Sequence, residues 1–407
     1  MTLSRRLKIL VVPSWYPARE KALKGIFVRE QARCLAGRFD VTVLTPRFPS
    51  LADQLRLRWG PTLLKNDDQG INTWRIRKLK IPTLRRWDAD HVLVYYRKFA
   101  EAIRRGFSWY VAEHGLPELI HAHVVLPAGW VAVELGARFG IPVVLTEHSE
   151  PFAMHLKTEK QRGLARDILQ RVDRLIAVSP ALSDTMADFV PAVRASVIGN
   201  LIDTEFFTLA PCGDSVARTF RFFMLGIMEE RKGTRFLLQA TRALLERGYT
   251  NFEVYLGGDG PMRPAFETQA RELAVGDRCR FLGMLGRPQV REQMQACNVF
   301  VLPSLGETFG IVLGEAMACG KPVLSTRCGG PEFLVTAETG VLTSPGDVPA
   351  LTDAMASFLD GRHAFKADRI RESIVGRFGA AAFLEKHELL YEETIRQYRA
   401  SRAAKAG

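Results

Sequence analysis

The chain reads as an α/β protein made of two doubly wound, parallel-sheet domains facing each other across a cleft. Three observations point there. Short apolar runs alternate with helix-length patterns from end to end, as crossover-connected parallel strands require. The alternation comes in two series, separated at residues 203–218, where Pro211, Gly213 and Asp214 interrupt it. At 407 residues the chain is long enough for two separate cores.

In the first series, strands are expected at 8–13, 41–45, 73–79, 119–123, 142–146, 174–178 and 196–198, with helical patterns such as 25–38 and 91–114 between them. The second series places strands at 220–226, 253–257, 280–283, 299–303 and 322–325. The expected domains are therefore 1–206 and 207–380. Residues 381–407 carry a long, charged helical pattern, expected as a C-terminal helix that packs back on the first domain; a frayed tail is the alternative.

Composition bounds the function. Hydrophobic residues make up 47% and charged residues 25%, an ordinary soluble balance. There is no run of 18 or more apolar residues, so no membrane span is expected. The basic start (Arg5, Arg6, Lys8) is followed by an apolar run, 9–12, too short for a signal peptide and better read as a first buried strand. The six cysteines are scattered without a Cys-x-x-Cys pair, which disfavours a structural zinc site or a disulfide framework and suits a reducing cytoplasm.

The net charge of +12 is uneven. Residues 56–105 hold 13 Lys or Arg against 5 acids, a local +8, and Trp59, Trp74, Trp87 and Trp109 fall in or just beyond this stretch. Basic groups interleaved with tryptophan suit an anionic headgroup surface, so a peripheral position at the inner face of the plasma membrane is expected. The other reading is a solvated basic face over core tryptophans. No nucleic-acid module is present, and nucleic acid is not an expected partner.

Ligands of open α/β sheets bind outside the carboxyl ends of the strands, and the chemistry-bearing residues gather there. Residues 13–25 follow the first strand, His123 ends the fourth, and Glu147-His148 ends the fifth. In the second series Gly226 to Gly233, the 257–261 turn and Glu307 do the same. The most informative segment is 307–315: two carboxylates eight residues apart across a Thr-Phe-Gly turn, between an apolar strand on either side. Strand, glycine loop, helix is the arrangement that aims a helix N-terminus at a phosphate. On a continuous helix, eight residues span about 12 Å, more than the roughly 5–9.5 Å between the carboxyls of a glycosidase pair. The spacing fits acids lying along a long ligand such as a nucleotide-sugar.

Lys232-Gly233 opens the next expected helix, where a cation and the helix dipole can together neutralise a diphosphate; a plain surface lysine is the alternative. The Gly257-Gly258-Asp259-Gly260-Pro261 turn allows close backbone approach, or is only a loop. His121 and His123 share one face of a strand, which invites a metal site with His148. No acid or cysteine is placed to complete it, so no metal is expected. Two other readings stay open: one histidine satisfied in the core with its neighbour lining a cleft, or His123 touching a transferred group. Neither a Gly-x-Gly-x-x-Gly after a strand nor a P-loop is present, which argues against dinucleotide and P-loop enzymes.

These residues resemble a known family. The second half is similar to the donor domain of the family 4 retaining glycosyltransferases of the GT-B fold, with two Rossmann-like domains. The match rests on Gly226 with Lys232-Gly233, the 257–261 turn, Phe281-Leu282-Gly283, Glu307-Thr308-Phe309-Gly310 running to Glu315-Ala316-Met317-Ala318-Cys319-Gly320-Lys321-Pro322-Val323, and Cys328-Gly329-Gly330-Pro331-Glu332. The first half resembles the acceptor domain of bacterial polysaccharide members through Ser14-Trp15-Tyr16-Pro17, residues 25–31, His121-Ala122-His123 and Thr146-Glu147-His148.

The resemblance implies metal-independent, retaining transfer of a hexosyl-type sugar from a nucleoside-diphosphate-sugar, with no cofactor. The acceptor it implies is a glycan or lipid-linked glycan of exopolysaccharide, capsule or lipopolysaccharide biosynthesis. By position, Glu315 would hold the ribose, Glu307 the sugar, and the Phe309-Gly310-Ile311 backbone the distal phosphate. Lys232 would stabilise the leaving diphosphate. Gly25, Gly226 and Gly258 would allow backbone approach, His123 would contact the sugar near the reacting carbon, and Tyr16 and His148 would lie on the acceptor side. Two positions depart from the family. Ile227 stands where an arginine often follows the glycine, leaving Arg231 or Arg235 as substitutes, and Gly199-Asn200-Leu201-Ile202-Asp203 replaces Pro-Asn-Gly-x-Asp. A sugar-nucleotide epimerase of the same architecture and a non-catalytic sugar-nucleotide-binding protein are the alternative functions.

Overall fold

A computed structural model of the chain describes residues 6–18, 24–48, 63–77, 89–149, 152, 156–210 and 219–406. The chain divides into two compact units. The first comprises 1–178, 182–201 and 383–407; the second comprises 179–181 and 202–382. The interruption expected from Pro211, Gly213 and Asp214 lies outside the described residues.

The first unit runs β1 (Lys8–Pro13), α1 (Ile26–Ala36), β2 (Asp40–Arg47), β3 (Leu63–Asp67), β4 (Asn72–Arg77), α2 (Ala89–His114) and β5 (Leu119–His123). A π-type turn, Val125–Gly129, leads into α3 (Trp130–Phe139), followed by β6 (Val143–Glu147), α4 (Glu159–Arg171), β7 (Arg174–Ala177), α5 (Pro180–Phe189) and β8 (Ala195–Val197). The strand order is β3-β4-β2-β1-β5-β6-β7-β8. Every pairing is parallel except β3 with β4. The central strand explains why: Ile9, Leu10, Val11 and Val12 are all fully buried, as a strand covered on both faces must be. The edge strand β3 was not among the expected strands. Only Leu63-Leu64 is apolar before Lys65-Asn66-Asp67, and its last three residues are exposed.

The second unit runs β9 (Phe220–Leu225), a 3-10 turn Glu230–Lys232, α6 (Thr234–Glu246), β10 (Phe252–Gly257), α7 (Arg263–Glu272), β11 (Cys279–Gly283), α8 (Arg287–Ala296) and β12 (Val299–Leu302). It continues through α9 (Ile311–Ala318), β13 (Val323–Thr326), α10 (Pro331–Leu334), β14 (Gly340–Thr343), α11 (Val348–Leu359) and α12 (Ala367–Phe378). Its strand order is β11-β10-β9-β12-β13-β14, parallel throughout. β14 also went unread in the sequence.

In both sheets the order reverses at one strand. β1 lies between β2 and β5, and β9 lies between β10 and β12. Neighbouring crossovers leave in opposite directions there, opening a crevice at the carboxyl ends.

The last helix, α13 (Ala380–Ala406), returns most of its length to the first unit. Phe383, Leu390, Tyr391 and Ile395 join the core that holds Ile9, Val11, Val28, Leu35 and Val41. Burying each such side chain contributes roughly 1.5–3 kcal/mol.

The basic, tryptophan-bearing stretch fares unevenly. Trp59 and Trp87 lie outside the described residues. Trp74 is only 1% exposed, with its ring edge-on to Tyr110, so it is a core residue and not a membrane anchor. Among the described residues no helix is long and apolar enough to cross a membrane.

Candidate functional site

In the second unit the reversal point gathers the expected residues. β9 ends at Leu225, and Gly226 donates its N–H to the Gly257 carbonyl at 3.1 Å, tying the two glycine loops together. Gly258 has φ +114°, and a Cβ there would stand 1.9 Å from the Gly226 oxygen. Only glycine fits this approach. Gly233 caps α6 at φ +75°, and a Cβ would fall 1.9 Å from the Pro303 oxygen. The loop before α6 is thus pressed onto the end of β12, which brings Lys232 to Glu307.

Lys232 Nζ lies 2.5 Å from Glu307 Oε1, and the two side chains are 15% and 9% exposed. Ser304 Oγ donates to the same carboxylate oxygen at 2.8 Å. The Ser304 carbonyl accepts from Thr326 Oγ1 at 2.5 Å, which fixes the loop from behind. Glu307 is also held through its backbone, bridging to Gly329 and accepting from Gly330 N–H at 2.6 Å. A largely buried pair of this kind has lost much of its hydration, and removing one partner strands the other.

One expectation fails. Helix α9 begins at Ile311, so Glu307 lies in the loop ahead of it and only Glu315 is helical. The 12 Å estimate, which assumed a continuous helix, therefore does not apply. The turn is real: Gly310 has φ +85° at the helix N-cap. Phe309 is buried edge-on to Phe333 and Phe378 and so anchors the turn. The start of α9, like other helix N-termini, presents N–H groups of the kind that suit an anion. Ile311 and Glu315 are partly exposed on this helix.

Ile227, where an arginine had been missed, is 59% exposed. Of the two candidate substitutes, Arg231 donates from Nη1 to the Gly306 carbonyl at 3.0 Å, beside Glu307. Arg235 pairs with Glu230 at 2.7 Å, both about half exposed.

The first unit gathers a different chemistry at its own reversal point. Gly25 caps α1 at φ +74°, where a Cβ would stand 2.4 Å from the Trp15 oxygen, so the loop after β1 lies against the helix start. Tyr16 is buried, its Oη 3.4 Å from Thr73 Oγ1, and burial pushes its phenol up to about 12. Ser14 accepts at Oγ from the Ala128 N–H (3.0 Å), and its own N–H donates to the His123 carbonyl (3.1 Å).

Four histidines are buried together. His121 bonds Thr146 Oγ1 through Nε2 (2.7 Å) and Tyr391 Oη through Nδ1 (2.6 Å). Its ring lies 4.3 Å from that of His123. His123 Nδ1 is 3.0 Å from His148 Nε2, and His387 sits 5.9 Å from His121. Burial, before all else, holds the His121 and His123 rings well below the usual imidazole range. The same desolvation brings His148 down to about 3 and His387 to about 4. The rings are neutral. With both His121 nitrogens already bonded, His121, His123 and His148 do not form a three-ligand metal site, and among the described residues no such group exists. Of the readings left open, His121 is the satisfied core histidine.

Glu147 went unassigned from the sequence. Its carboxylate accepts from Val125 N–H (2.8 Å), His148 N–H (2.8 Å) and Ser149 N–H (2.7 Å), and so joins the loops after β5 and β6. Ser304 and Tyr391 were also missed, and Asn200 was read only as part of the interdomain Gly199–Asp203 segment. Ser304 stands three residues before Glu307 and was findable. Tyr391 reaches His121 across 270 residues and had no local signal.

Comparison with known proteins sets this geometry in a family. Residues 25–206 match the family described as Glycosyltransferase Family 4, and residues 219–361 match Glycosyl transferases group 1. The chain is 26% identical over 299 residues to the N-acetyl-alpha-D-glucosaminyl L-malate synthase of Bacillus anthracis, covering 70% of this chain and 77% of that protein. It is 26% identical over 394 residues to the putative teichuronic acid biosynthesis glycosyltransferase TuaC of Bacillus subtilis, covering 92% and 95%. The solved structure of Anabaena HepE in complex with UDP shares the fold, with a TM-score of 0.71 at 20% identity, over 95% of this chain and all of that one.

Two Rossmann-like units with their polar residues at the sheet reversal points define a glycosyltransferase of the GT-B class. The chain is a glycosyltransferase with a family 4 domain at residues 25–206 and a group 1 domain at residues 219–361.

Proposed function

We propose that the protein transfers a sugar from a nucleoside-diphosphate-sugar to a hydroxyl of a glycan, with retention at the anomeric carbon, without a catalytic metal or cofactor. The observation that carries this reading is the Lys232–Glu307 pair at the β9/β12 reversal point, beside two close-approach glycine loops and the open end of α9. A cation, backbone N–H groups and a helix end are what a diphosphate leaving group needs. The UDP held by the structurally similar HepE supports a donor of the same kind.

In this reading Lys232 shifts from Glu307 towards the diphosphate, and the freed carboxylate takes sugar hydroxyls. The Phe309-Gly310-Ile311 backbone holds the distal phosphate, and Glu315 holds the ribose. Gly226 and Gly258 admit the ligand close to the backbone. His123 contacts the sugar near its reacting carbon, and Gly25 gives the loop after β1 its approach. The bond from the anomeric carbon to the phosphate oxygen breaks as the bond to the acceptor oxygen forms on the same face. The acceptor proton passes to the departing phosphate oxygen. Charge neutralisation thus supplies most of the rate gain, and no protein nucleophile is needed.

Tyr16 belongs to the acceptor side. The acceptor is a lipid-linked glycan of cell-surface polysaccharide synthesis, a reading supported by the likeness to TuaC along almost the whole chain. That work is done in the cytoplasm at the inner face of the plasma membrane. The test is product analysis with a nucleotide-sugar panel and lipid-linked acceptors. Acceptor-dependent release of the nucleoside diphosphate with an unchanged anomeric configuration is expected. Inversion, conversion of the donor without acceptor, or dependence on a divalent cation would contradict the proposal.

A further inference from the structure

The backbone ladder between β5 and β6 pairs Ile120 with Val143, His121 with Val144, Ala122 with Leu145 and His123 with Thr146, and there it stops. Nothing in a parallel pair of strands holds the two chains together past that point. The two imidazoles at this edge are nevertheless closely set. His123 Nδ1 lies 3.0 Å from His148 Nε2, and the rings stack at 5.3 Å with 18° between their planes.

A buried side chain takes over from the ladder. Glu147 is 1% exposed. Its Oε2 accepts from Val125 N–H at 2.8 Å, on the loop after β5. Its Oε1 accepts from His148 N–H at 2.8 Å and from Ser149 N–H at 2.7 Å, on the loop after β6. Backbone N–H groups buried this deeply need a partner, and one carboxylate serves all three. Beside it, Val124 N–H donates to the Thr146 carbonyl at 2.8 Å. Between these two ties Val124 is held at φ +75°, a conformation rare for a β-branched residue and kept only where the surroundings impose it. Thr146 and His148 bond His121 and His123, whereas strand alternation turns the Glu147 side chain to the opposite face from Thr146. Glu147 thus grips both loops by their backbone, from behind the rings.

We propose that Glu147 is a positioning residue for transfer: by tying the loop after β5 to the loop after β6 it fixes the spacing of the His123 and His148 rings, and so where His123 stands against the bound sugar. The inference rests on the proposed function's placing of His123 at the sugar and adds the group that sets this placing. A misplaced ring at a reacting carbon costs rate more than binding. In the same reading the diphosphate is held by residues of the second unit, so donor binding does not depend on Glu147.

The test is a double-mutant cycle in the full chain. Glu147→Gln keeps the size of the side chain but leaves one oxygen for three N–H donors, so its amide group opposes the N–H of one loop. Its kcat should fall about tenfold, with KM for the donor within about twofold of wild type. In a His123→Phe background the same change should cost less than about twofold, because the ring it positions is gone. An equal loss in both backgrounds would mean that Glu147 serves the fold alone, and a folded Glu147→Gln with the wild-type kcat would leave it no role; either result overturns the proposal. Should Glu147→Gln not fold, Glu147→Asp, one methylene too short to span both loops, enters the same cycle with the same outcomes. A second readout needs no substrate. Spectra of the folded Glu147 variant labelled at histidine nitrogen should show the His123 and His148 ring signals displaced from wild type, while that of His363 in the second unit stays in place. Unmoved His123 and His148 signals contradict the proposal whether or not any nucleotide-sugar reacts. Displaced signals in a protein whose wild type turns over no nucleotide-sugar would instead strike the reading of the site.

Discussion

The two reversal points are built from opposite electrostatics. In the second unit a lysine and a glutamate face each other, 2.5 Å apart, among glycines that keep the backbone close. In the first unit four imidazoles are packed so deeply that none carries a charge. A leaving diphosphate demands fixed opposite charge, whereas an uncharged ring offers hydrogen bonds without adding a cation.

The largest effects should come from erasing the charged side of this contrast. Lys232→Ala should lower kcat about 10²- to 10³-fold, the scale of losing one preorganised group on developing charge. Glu307→Gln should do nearly as much by breaking the pair without changing shape, with circular dichroism checking that both variants fold. Activity within tenfold of wild type in both would mean that the pair is only a structural ion pair.

The neutral side predicts a different pattern. His123→Phe should cost about 10²-fold in kcat, and His123→Gln, which restores an uncharged acceptor, should recover part of it. A cationic role would instead make His123→Lys the better rescue. Steady-state rates of the three variants decide between these outcomes.

The buried rings also make stability depend on pH. In the unfolded chain each imidazole binds a proton near its ordinary value of 6.5, while in the folded chain His148 and His387 resist protonation down to about 3 and about 4. The unfolded state therefore holds more protons over that interval. Stability is full above about pH 7 and is lost as pH falls below it. At pH 5 the loss is about 2 kcal/mol per ring, measurable as a falling urea midpoint. A midpoint unchanged between pH 8 and pH 5 would mean that the cluster is hydrated or already charged.

The smallest effect sharpens the contrast within the second unit. Arg235 pairs with Glu230 on the surface, both about half exposed. Arg235→Ala should change stability by less than about 1 kcal/mol and leave transfer within twofold, against the large loss at Lys232 three residues away.

The two regions also differ in how well they could be read from the sequence. The charged one is local: Lys232-Gly233, the 257–261 turn and residues 307–315 are short segments at strand ends, and strand alternation gave both sheets apart from the short β3 and β14. What the sequence concealed there was the start of α9 at Ile311, because an apolar run with glycines fits a helix or a turn equally well. The neutral region is assembled from afar. His121 is closed by Tyr391, the core includes the C-terminal helix, and Asn200 sits at the far end of the first unit's contiguous chain. No local pattern announces such packing. Trp74 shows the converse error, since a tryptophan among basic residues looked like a surface feature and proved to be core.

The most direct test of the central claim is equilibrium binding of nucleoside diphosphates to wild type and to Lys232→Ala, by titration calorimetry without added metal. The account predicts that at least one nucleoside diphosphate binds the wild type and that Lys232→Ala weakens it at least tenfold, with no change in folding. Equal affinity in the two proteins, or no binding of any nucleoside diphosphate to the wild type, would contradict it.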